Sequence, residues 1–576
     1  MSLFARQFQR LPEGSRSIFL TAIYGLAGGL AAVLFELGIN WIYLSTFVAL
    51  SHRTLIVFLL GSLGVIVLCS LGGGFLMFRV DQEAAGSGIP QLKFAFWQDF
   101  GVVRLRTVLV KFCAGLLHVG GGLSLGREGP SVHIAGGVAS ELGGALGVPK
   151  QRRRRPAAAG AAAGLAAAFN TPLAAITFVL EEIVQDLNSP LIGSVILASV
   201  LGAFAVHAII GKNPAFLLPQ IEGATWRAYF GVPLTSAFAS LVGIGFQRAT
   251  LRLRTFSKSW NAIPRWMHPL LGGLTVWVLG VTLFLWSGRL GVFGLGYSDL
   301  SAILHGQIPW LVIAALLLAK WISTVACYGW GGCGGIFAPL LFLGAAAGGT
   351  VAGLYGSVLP LTSDGRALLA IIGMSACLSA VVRAPFTSIL IVFEMTHQFT
   401  LVPALMLGAL VSETISRSLT THNFYDEILA QDGNVLVHVI PPRDLRSWQA
   451  YPVSAIANFR PVVIDNLAPD NLRQILEKNQ FKRFPVVEEG KLVGCLSRAE
   501  ALAALAQNRR PLIAKVAICR RSFTIGEVAR LLIDARGGFA VLEAGDKPAG
   551  VVTLHDLLRA QETLASRRTD QVCRAS

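Results

Sequence analysis

The stretch Gly120–Gly137, "GGGLSLGREGPSVHIAGG", places Arg127 beside Glu128 within an apolar run. Moving a charged side chain to the centre of a lipid bilayer costs at least about 2.5 kcal/mol. If the surrounding chain spans a membrane, this ionisable pair is therefore a candidate functional site. Whether the chain does so depends on the rest of the sequence.

The composition is that of a membrane protein. The 576-residue chain is 53% hydrophobic and 14% charged, whereas soluble proteins carry roughly a quarter charged residues. Between about Ser17 and Leu419 the apolar residues form long runs, several of which reach the ~20 residues that a transmembrane helix needs. The net charge of +16 is typical of Lys and Arg collected in cytoplasmic loops such as "KQRRRRP" (150–156), so we expect a lipid bilayer and no nucleic acid as partner.

The sequence carries no motif of a common enzyme class. It has no HExxH, P-loop or GxSxG pattern, and its eight cysteines show no metal-ligand spacing. We therefore predict that the protein is not an enzyme, has no metal site and requires no cofactor.

The two halves of the apolar region resemble each other. Residues 160–182 align with residues 373–395 at a constant offset of 213 (373 − 160), and the identical pairs include Pro172 with Pro385 and Glu181 with Glu394. Gly and Pro interrupt the apolar segments at matching places. An internal repeat with interrupted helices is typical of transporters that bind their substrate at the repeat interface. The residues alone leave open whether the repeat is inverted or parallel.

Three interruptions share one pattern, in which glycines and a proline precede an apolar helix: "GSGIP" (86–90), "GREGP" (126–130) and "GIFAP" (335–339). Proline suits the first helical turn, and glycine lets the backbone approach a ligand closely. The resulting helix N-termini carry free N–H groups and the positive end of the helix dipole. The pattern therefore predicts a site for a dehydrated, halide-sized anion.

In this order, the three motifs resemble the signature motifs of the CLC family of chloride channels and transporters, over about residues 15–430. The resemblance implies an all-α polytopic membrane domain with broken helices and an inverted internal repeat. It also implies a homodimer with one chloride pathway in each subunit. We expect a multi-pass protein of a bacterial inner membrane with both termini in the cytoplasm.

The resemblance implies a chloride site made by the Ser87 hydroxyl, the amides of Ile336 and Phe337, and the hydroxyl of Tyr425. In the family, serine at the position of Ser87 accompanies a preference for chloride, and proline a preference for nitrate. The remaining motif residues that would line the pathway are Gly86, Gly88, Pro90, Gly126, Gly129, Pro130, Gly335 and Pro339.

Glu128 resembles the family's gating glutamate. An ionised Glu128 would compete with chloride for a helix N-terminus, and a protonated one would swing away carrying its proton. For Arg127 two interpretations stay open, a source of positive potential near the outer entrance and a structural ion pair.

Glu182 distinguishes an exchanger from a channel. The segment "FVLEEI" contains Glu181 and Glu182, and in the family an acid at the second of these positions accompanies proton-coupled exchange. We therefore expect chloride/proton antiport. The alternatives are a passive CLC channel gated by voltage or pH, and a cation transporter linked to the C-terminal modules described next. The cation transporter is disfavoured because the motifs offer helix N-termini and hydroxyls instead of a ring of carboxylates.

The C-terminal region contains a second repeat, in which residues 460–505 and 520–561 each predict the order strand, helix, strand, turn, strand, helix. The two copies resemble a pair of CBS modules, which implies a regulatory unit in the cytoplasm. Thr553 and Asp556 match the family's ribose-binding pattern for an adenine nucleotide, and Ser497 and Glu500 match it less closely. Packing without nucleotide is the alternative.

These observations predict six segments: a cytoplasmic tail (1–16), the transmembrane domain (17–430), a linker (431–451), CBS 1 (452–508), CBS 2 (509–565) and a basic tail (566–576).

Overall fold

The structure is a computed structural model that describes residues 13–211, 216, 219–221, 225–434, 449, 451–534, 538–544 and 547–560. The chain divides into two compact units, Met1–His438 and Val439–Ser576, each of which is described by itself. Most of the predicted tail 1–16, most of the predicted linker 431–451 and all of the predicted tail 566–576 lie outside the described residues.

The first unit is built from helices, as the sequence predicts. They are α1 (Glu13–Tyr43), α2 (Leu55–Phe75), α3 (Ile89–Gln98), α4 (Leu105–Gly115), α5 (Glu128–Ala145), α6 (Arg154–Phe169), α7 (Pro172–Phe178), α8 (Ile192–Ile209), α9 (Trp226–Ser259), α10 (His268–Ser287), α11 (Tyr297–Leu304), α12 (Trp310–Gly329), α13 (Phe337–Val358), α14 (Ser363–Val382), α15 (Pro385–Thr396), α16 (Val402–Leu419) and α17 (Phe424–Gln431). Four of them continue into π-helical segments, Leu44–Val48, Leu76–Val80, Leu116–Gly120 and Val179–Ile183.

Within the described residues, nine helical stretches are long and apolar enough to cross a membrane. They are Ser15–Ser51, Leu55–Val80, Ile192–Ile209, Trp226–Ser259, Arg265–Ser287, Trp310–Gly329, Phe337–Val358, Ser363–Val382 and Phe399–Gln431. The prediction of a multi-pass membrane domain is confirmed.

The centre of this unit is packed through small residues. A side chain at Gly344 of α13 or at Gly373 of α14 would collide with the backbone of the other helix. Gly160 of α6 meets the backbone of Ala135 of α5 in the same way. Small residues let membrane helices approach closely, which is why these sequences are rich in Ala and Gly.

Several helices are too short to span a bilayer. α3 has 10 residues and α11 has 8, so they are about 15 Å long or less, against a hydrocarbon core of about 30 Å. Each begins after a glycine in the left-handed region, Gly88 (φ 93°) and Gly296 (φ 75°). The predicted broken helices are thus present, and they begin inside the unit.

The two halves meet through reciprocal contacts. Gly126 N–H donates to Gly335 O at 2.7 Å, and Gly335 N–H donates to Gly126 O at 2.6 Å. These glycines begin the equivalent motifs of the two halves, at an offset of 209 (335 − 126). This is four less than the offset of 213 found above, because the second half has four more residues between the motif and the aligned segment. At the same offset, Lys111 and Lys320 are both buried, and their ammonium groups donate to the carbonyls of Gly86 (3.1 Å) and Gly294 (2.7 Å). The repeat is therefore a structural one.

The second unit contains two small α/β modules. The first has α18 (Pro469–Lys478), β1 (Arg483–Glu488), β2 (Lys491–Ser497) and α19 (Arg498–Ala506), and the second has β3 (Ala517–Arg520), α20 (Ile525–Asp534), β4 (Phe539–Ala544) and β5 (Lys547–Thr553). β1 pairs with β2 antiparallel, β3 with β4 parallel, and β4 with β5 antiparallel. Residues of both modules share one core cluster, Cys495, Phe539, Val541 and Val551.

Two predicted strands differ from the structure. The second copy is predicted to open with a strand from Arg520 onward, whereas β3 ends at Arg520. The opening strand of the first module is reduced to a single bridge between Ile464 and Val486. The chain turns directly afterwards, where the Asn466 side chain accepts a hydrogen bond from Ala468 N–H. Asn favours such turns, so pairing ends after one residue.

Candidate functional site

The three Gly-Pro motifs lie against one another in the first unit. Gly86 O accepts from Gly334 N–H at 3.3 Å. A side chain on Gly129 would collide with Ser87 Oγ and approach the Cα atom of Gly335. Only glycine fits at such an approach, which explains the composition of the motifs. The sequence-predicted loops "GSGIP", "GREGP" and "GIFAP" are therefore brought together.

Two hydroxyl groups of the predicted chloride site, those of Ser87 and Tyr425, are fully buried. The Tyr425 hydroxyl lies near that of Ser87, and neither hydroxyl oxygen has a partner at hydrogen-bond distance among the described protein atoms. Buried polar groups are nearly always hydrogen-bonded. The two hydroxyls thus fit an anion that would accept from both.

Two amides of the predicted site lie at the start of α13. Ile336 is the N-cap residue and Phe337 the first residue of the helix. The first four N–H groups of a helix have no acceptor within it. Because the helix dipole also favours negative charge there, this N-terminus is suited to bind an anion.

The Glu128 carboxylate lies at the same N-terminus. Its Oε2 accepts from Ala338 N–H at 3.4 Å, and its Oε1 accepts from the Tyr297 hydroxyl at 2.7 Å. Glu128 is fully buried although it is the first residue of its own helix, α5. A side-chain carboxylate therefore occupies a position that suits a small anion.

Arg127 is part of a structural ion pair. Its Nη1 lies 2.7 Å from Glu36 Oε1 on α1, and its Nη2 donates to Ala168 O at 2.9 Å. The guanidinium also lies over the Tyr297 ring, with Cζ 5.6 Å from the centroid. Of the two interpretations left open by the sequence, the geometry favours the ion pair, since only 3% of Arg127 is exposed.

Glu182 lies in a ring of polar side chains. Its Oε1 is 2.7 Å from Lys93 Nζ, and its Oε2 accepts from Asn423 Nδ2 at 2.9 Å. Lys93 Nζ is also 2.7 Å from Asp426 Oδ1, and the Asn423 side chain accepts from Asp426 N–H. Glu182 and Lys93 are buried, whereas 29% of the Asp426 side chain is exposed. The ring thus connects a buried acid to a partly exposed one.

The ring joins the elements of the predicted chloride site. Lys93 lies on α3, the helix that follows Ser87, and Asn423 and Asp426 flank Tyr425 at the start of α17. Sequence reasoning missed Lys93, Asn423, Asp426 and Tyr297. Lys93 had a signal, because it is an isolated cation in the apolar stretch "IPQLKFAFW".

A cavity of about 340 Å³ lies beside the Ser87 loop. Gly86 and Tyr328 line it, together with the cations Arg254 and Lys258. Asp432 pairs with both cations, at 2.8 Å and 2.6 Å. Tyr328 links the cavity to the loop, because its Oη accepts from Ser87 N–H at 3.3 Å. Basic groups of this kind raise the local concentration of anions.

In the second unit, Thr553 and Asp556 contact each other after β5. Thr553 N–H donates to Asp556 Oδ2 at 2.9 Å, and Asp556 N–H donates to Thr553 Oγ1 at 3.2 Å. This is the reciprocal pattern of a capping box. In the first module, the Ser497 side chain accepts from Glu500 N–H at the start of α19 without the reciprocal bond, and the Glu500 carboxylate instead pairs with Arg509 at 2.6 Å. Among the described residues, no cluster of His, Cys, Asp and Glu is suited to hold a metal ion.

Comparisons with known proteins agree with this arrangement. The family of voltage gated chloride channels matches residues 64–417, and the CBS domain family matches residues 461–507 and 512–563. The H(+)/Cl(-) exchange transporter ClcA of Vibrio campbellii is 30% identical over 423 residues, which cover 73% of this chain and 90% of that protein.

Two solved structures show the same fold. A slow cyanobacterial Cl⁻/H⁺ antiporter aligns with a TM-score of 0.64 at 23% identity, covering 72% of this chain and 97% of that one. A eukaryotic CLC transporter aligns with a TM-score of 0.61 at 18% identity, covering 94% of this chain and 97% of that one.

Proposed function

The chain belongs to the voltage gated chloride channel family, and we propose that it is a secondary transporter that exchanges chloride for protons. The observation that carries this proposal is the presence of two separate buried carboxylates. Glu128 lies at an anion-binding helix N-terminus, and Glu182 lies in the ring with Lys93 and Asp426. A passive pore needs no second acid, whereas coupled exchange needs a proton route distinct from the chloride route.

Chloride binds, in this proposal, between the hydroxyls of Ser87 and Tyr425 and the amides of Ile336 and Phe337. Within the part of the chain that the structure describes, neither buried hydroxyl has a protein partner at hydrogen-bond distance, which supports this assignment. The four groups named here are hydroxyls and helix amides, and none of them is a cation. An anion held in this way is bound weakly enough to leave again, which transport requires.

Glu128 acts as the gate. In its ionised form it accepts from the Ala338 amide and excludes chloride from the helix N-terminus. When it binds a proton, its attraction to the helix dipole weakens and the side chain leaves the site. Chloride then enters, and the proton moves with the glutamate. Each turn of this cycle therefore carries chloride and protons in opposite directions.

Glu182 passes protons between the cytoplasm and the gate. Asp426 is the partly exposed acid of the ring, and Lys93 lies between it and Glu182, in contact with both carboxylates. Asn423, the N-cap residue of α17, donates a hydrogen bond to Glu182. A change in the charge of Glu182 therefore alters the strength of this bond at the start of the helix that carries Tyr425. Proton transfer and the inner end of the chloride pathway are thereby linked.

Assembly and placement follow the family. The protein is a homodimer with one pathway in each subunit, and it lies in a bacterial inner membrane with both termini in the cytoplasm. The basic loop around Lys150–Arg152 supports the orientation, because Lys and Arg concentrate on the cytoplasmic side. Cross-linking in native membranes tests the dimer.

The CBS pair binds an adenine nucleotide in this proposal, with Thr553 and Asp556 holding the ribose and binding altering transport. The two residues already lie in contact at the end of β5. Thermal unfolding of the full chain with and without ATP tests this part. A shift that Asp556→Ala abolishes supports it, and an unchanged midpoint at millimolar ATP contradicts it.

The exchange itself is tested with purified protein in liposomes. A chloride gradient is imposed without a proton gradient, and a potassium ionophore clamps the voltage. Internal pH moving uphill supports exchange, because a leak has no driving force under these conditions. Rapid chloride flux at constant internal pH would instead indicate a passive channel.

A further inference from the structure

Tyr297 contacts the gate directly. Its hydroxyl donates to Glu128 Oε1 at 2.7 Å, across 169 residues of chain. We propose that Tyr297 is a positioning residue that latches the ionised Glu128 carboxylate at the helix N-terminus and so sets how readily the gate opens. This inference rests on the proposed function, in which Glu128 is the gate.

The backbone before Tyr297 is held rigidly. Lys320 Nζ donates to the carbonyls of Gly291 (3.0 Å), Val292 (3.3 Å) and Gly294 (2.7 Å). Asp299 accepts from Gly291 N–H at 2.6 Å. The loop thus places Tyr297 as the first residue of α11 in a fixed position.

The ring of Tyr297 is held from its sides as well. The Arg127 guanidinium lies over the ring, and the Phe216 ring lies 5.3 Å away between centroids. Arg127 is fixed in turn by Glu36. Because neither the loop nor the ring moves easily, the Tyr297 hydroxyl already points at Glu128. Little conformational entropy is therefore lost when the hydrogen bond forms.

The hydrogen bond from Tyr297 to Glu128, called the latch below, differs in strength between the ionised and the protonated form of Glu128. Hydrogen bonds to an ionised acceptor are about twice as strong as neutral ones, so Tyr297 holds the carboxylate more tightly than the carboxylic acid. The other charged or titratable groups that face Glu128 are Arg127, with Glu36 behind it, and Tyr425. Of these, only Tyr297 donates a hydrogen bond from its side chain to the carboxylate within the described residues.

The test is Tyr297→Phe in the full chain, reconstituted in liposomes, with chloride flux measured from pH 4 to pH 8. The ring and its packing remain, and only the hydroxyl is lost. We expect faster chloride flux at neutral pH and a rise in flux that begins about one pH unit higher, a tenfold change in proton affinity. An unchanged flux and an unchanged pH profile would overturn the latch.

A second pair of variants excludes a structural effect. In a Glu128→Ala background there is no carboxylate to hold, so adding Tyr297→Phe should leave chloride flux unchanged. An equal increase in both backgrounds would show that the hydroxyl acts on packing instead of the gate. The role of Tyr297 is tested by the pH dependence of chloride flux, whereas exchange is tested by proton movement. Either proposal can therefore fail while the other stands.

Discussion

Glu181 and Glu394 cap each other's helices. The Glu181 carboxylate accepts from the N–H groups of Phe386 (3.2 Å) and Thr387 (2.9 Å) at the start of α15. Glu394, its equivalent in the second repeat, accepts from Leu173 and Ala174 at the start of α7, each at 2.8 Å. The two helical segments therefore run antiparallel, the relation that an inverted repeat requires.

Glu181→Gln and Glu394→Gln should each destabilise the protein by about 1–2 kcal/mol, because an anion at a helix N-terminus is lost. The two losses should be similar, since the contacts are equivalent. The measurement is the apparent Tm in detergent. Glu83→Gln is the matched control, because its 3.9 Å pair with Arg104 is exposed on both sides and contributes less than about 1 kcal/mol. An unchanged Tm in both variants would contradict the capping role.

Glu128→Ala should abolish proton transport while chloride still passes, because the acid at the helix N-terminus is removed. Glu128→Gln should behave alike, since the amide carries no proton to release. Chloride and proton fluxes in the same liposomes measure both effects. Coupled proton movement in either variant would remove Glu128 from the proton route.

Glu182→Gln should also stop proton transport and leave chloride flux in place, because the ring loses its buried acid. Glu181→Gln is the matched control, since the neighbouring residue caps a helix instead of joining the ring. It should lower stability and retain coupling. Loss of coupling in both variants would mean that the effect comes from disturbed folding of the segment and not from loss of a proton-carrying acid at Glu182.

Lys93→Met should destabilise the protein by about 3–5 kcal/mol, because it leaves the buried Glu182 carboxylate without its cation. Adding Glu182→Gln removes the unpaired charge and should restore part of the loss. Thermal unfolding of the two variants measures the difference. A double variant no more stable than Lys93→Met would show that the pair is not coupled.

The CBS unit offers a test by pH. Hydrogen bonds from Arg509 and from Leu512 N–H hold the pKa of Glu500 below its ordinary value of 4.5. A lowered folded-state pKa contributes stability that is present above pH 4.5 and is lost as the pH falls through the lower value. Glu500→Gln should therefore reduce stability at pH 7 and make little difference at the acid end. Glu489→Gln, in the exposed turn, is the control, and an equal effect at both pH values would contradict the pairing.

Much of the fold could be predicted from the sequence, because lengths of apolar runs and Gly-Pro interruptions are local signals. The contacts of the site are not local. Tyr297 meets Glu128 across 169 residues and Lys93 meets Asp426 across 333, so no motif spacing reveals them. The prediction of a strand near Ile464 was wrong. Its β-branched residues favour a strand, but the turn at Asn466 ends the pairing after one residue.

Site chemistry was predictable only in part. The rule that draws attention to Arg127, a charge in an apolar run, applies equally to Lys93, Lys111 and Lys320. Their role in fixing loops and acids follows only from the contacts of their ammonium groups.

The central claim is that chloride movement is coupled to proton movement, and the reversal potential tests it most directly. Current through the reconstituted protein is recorded at a fixed chloride gradient while the pH gradient is varied. The account predicts a reversal potential that departs from the chloride equilibrium potential and shifts with the pH gradient. A reversal potential that stays at the chloride value at every pH gradient would contradict it.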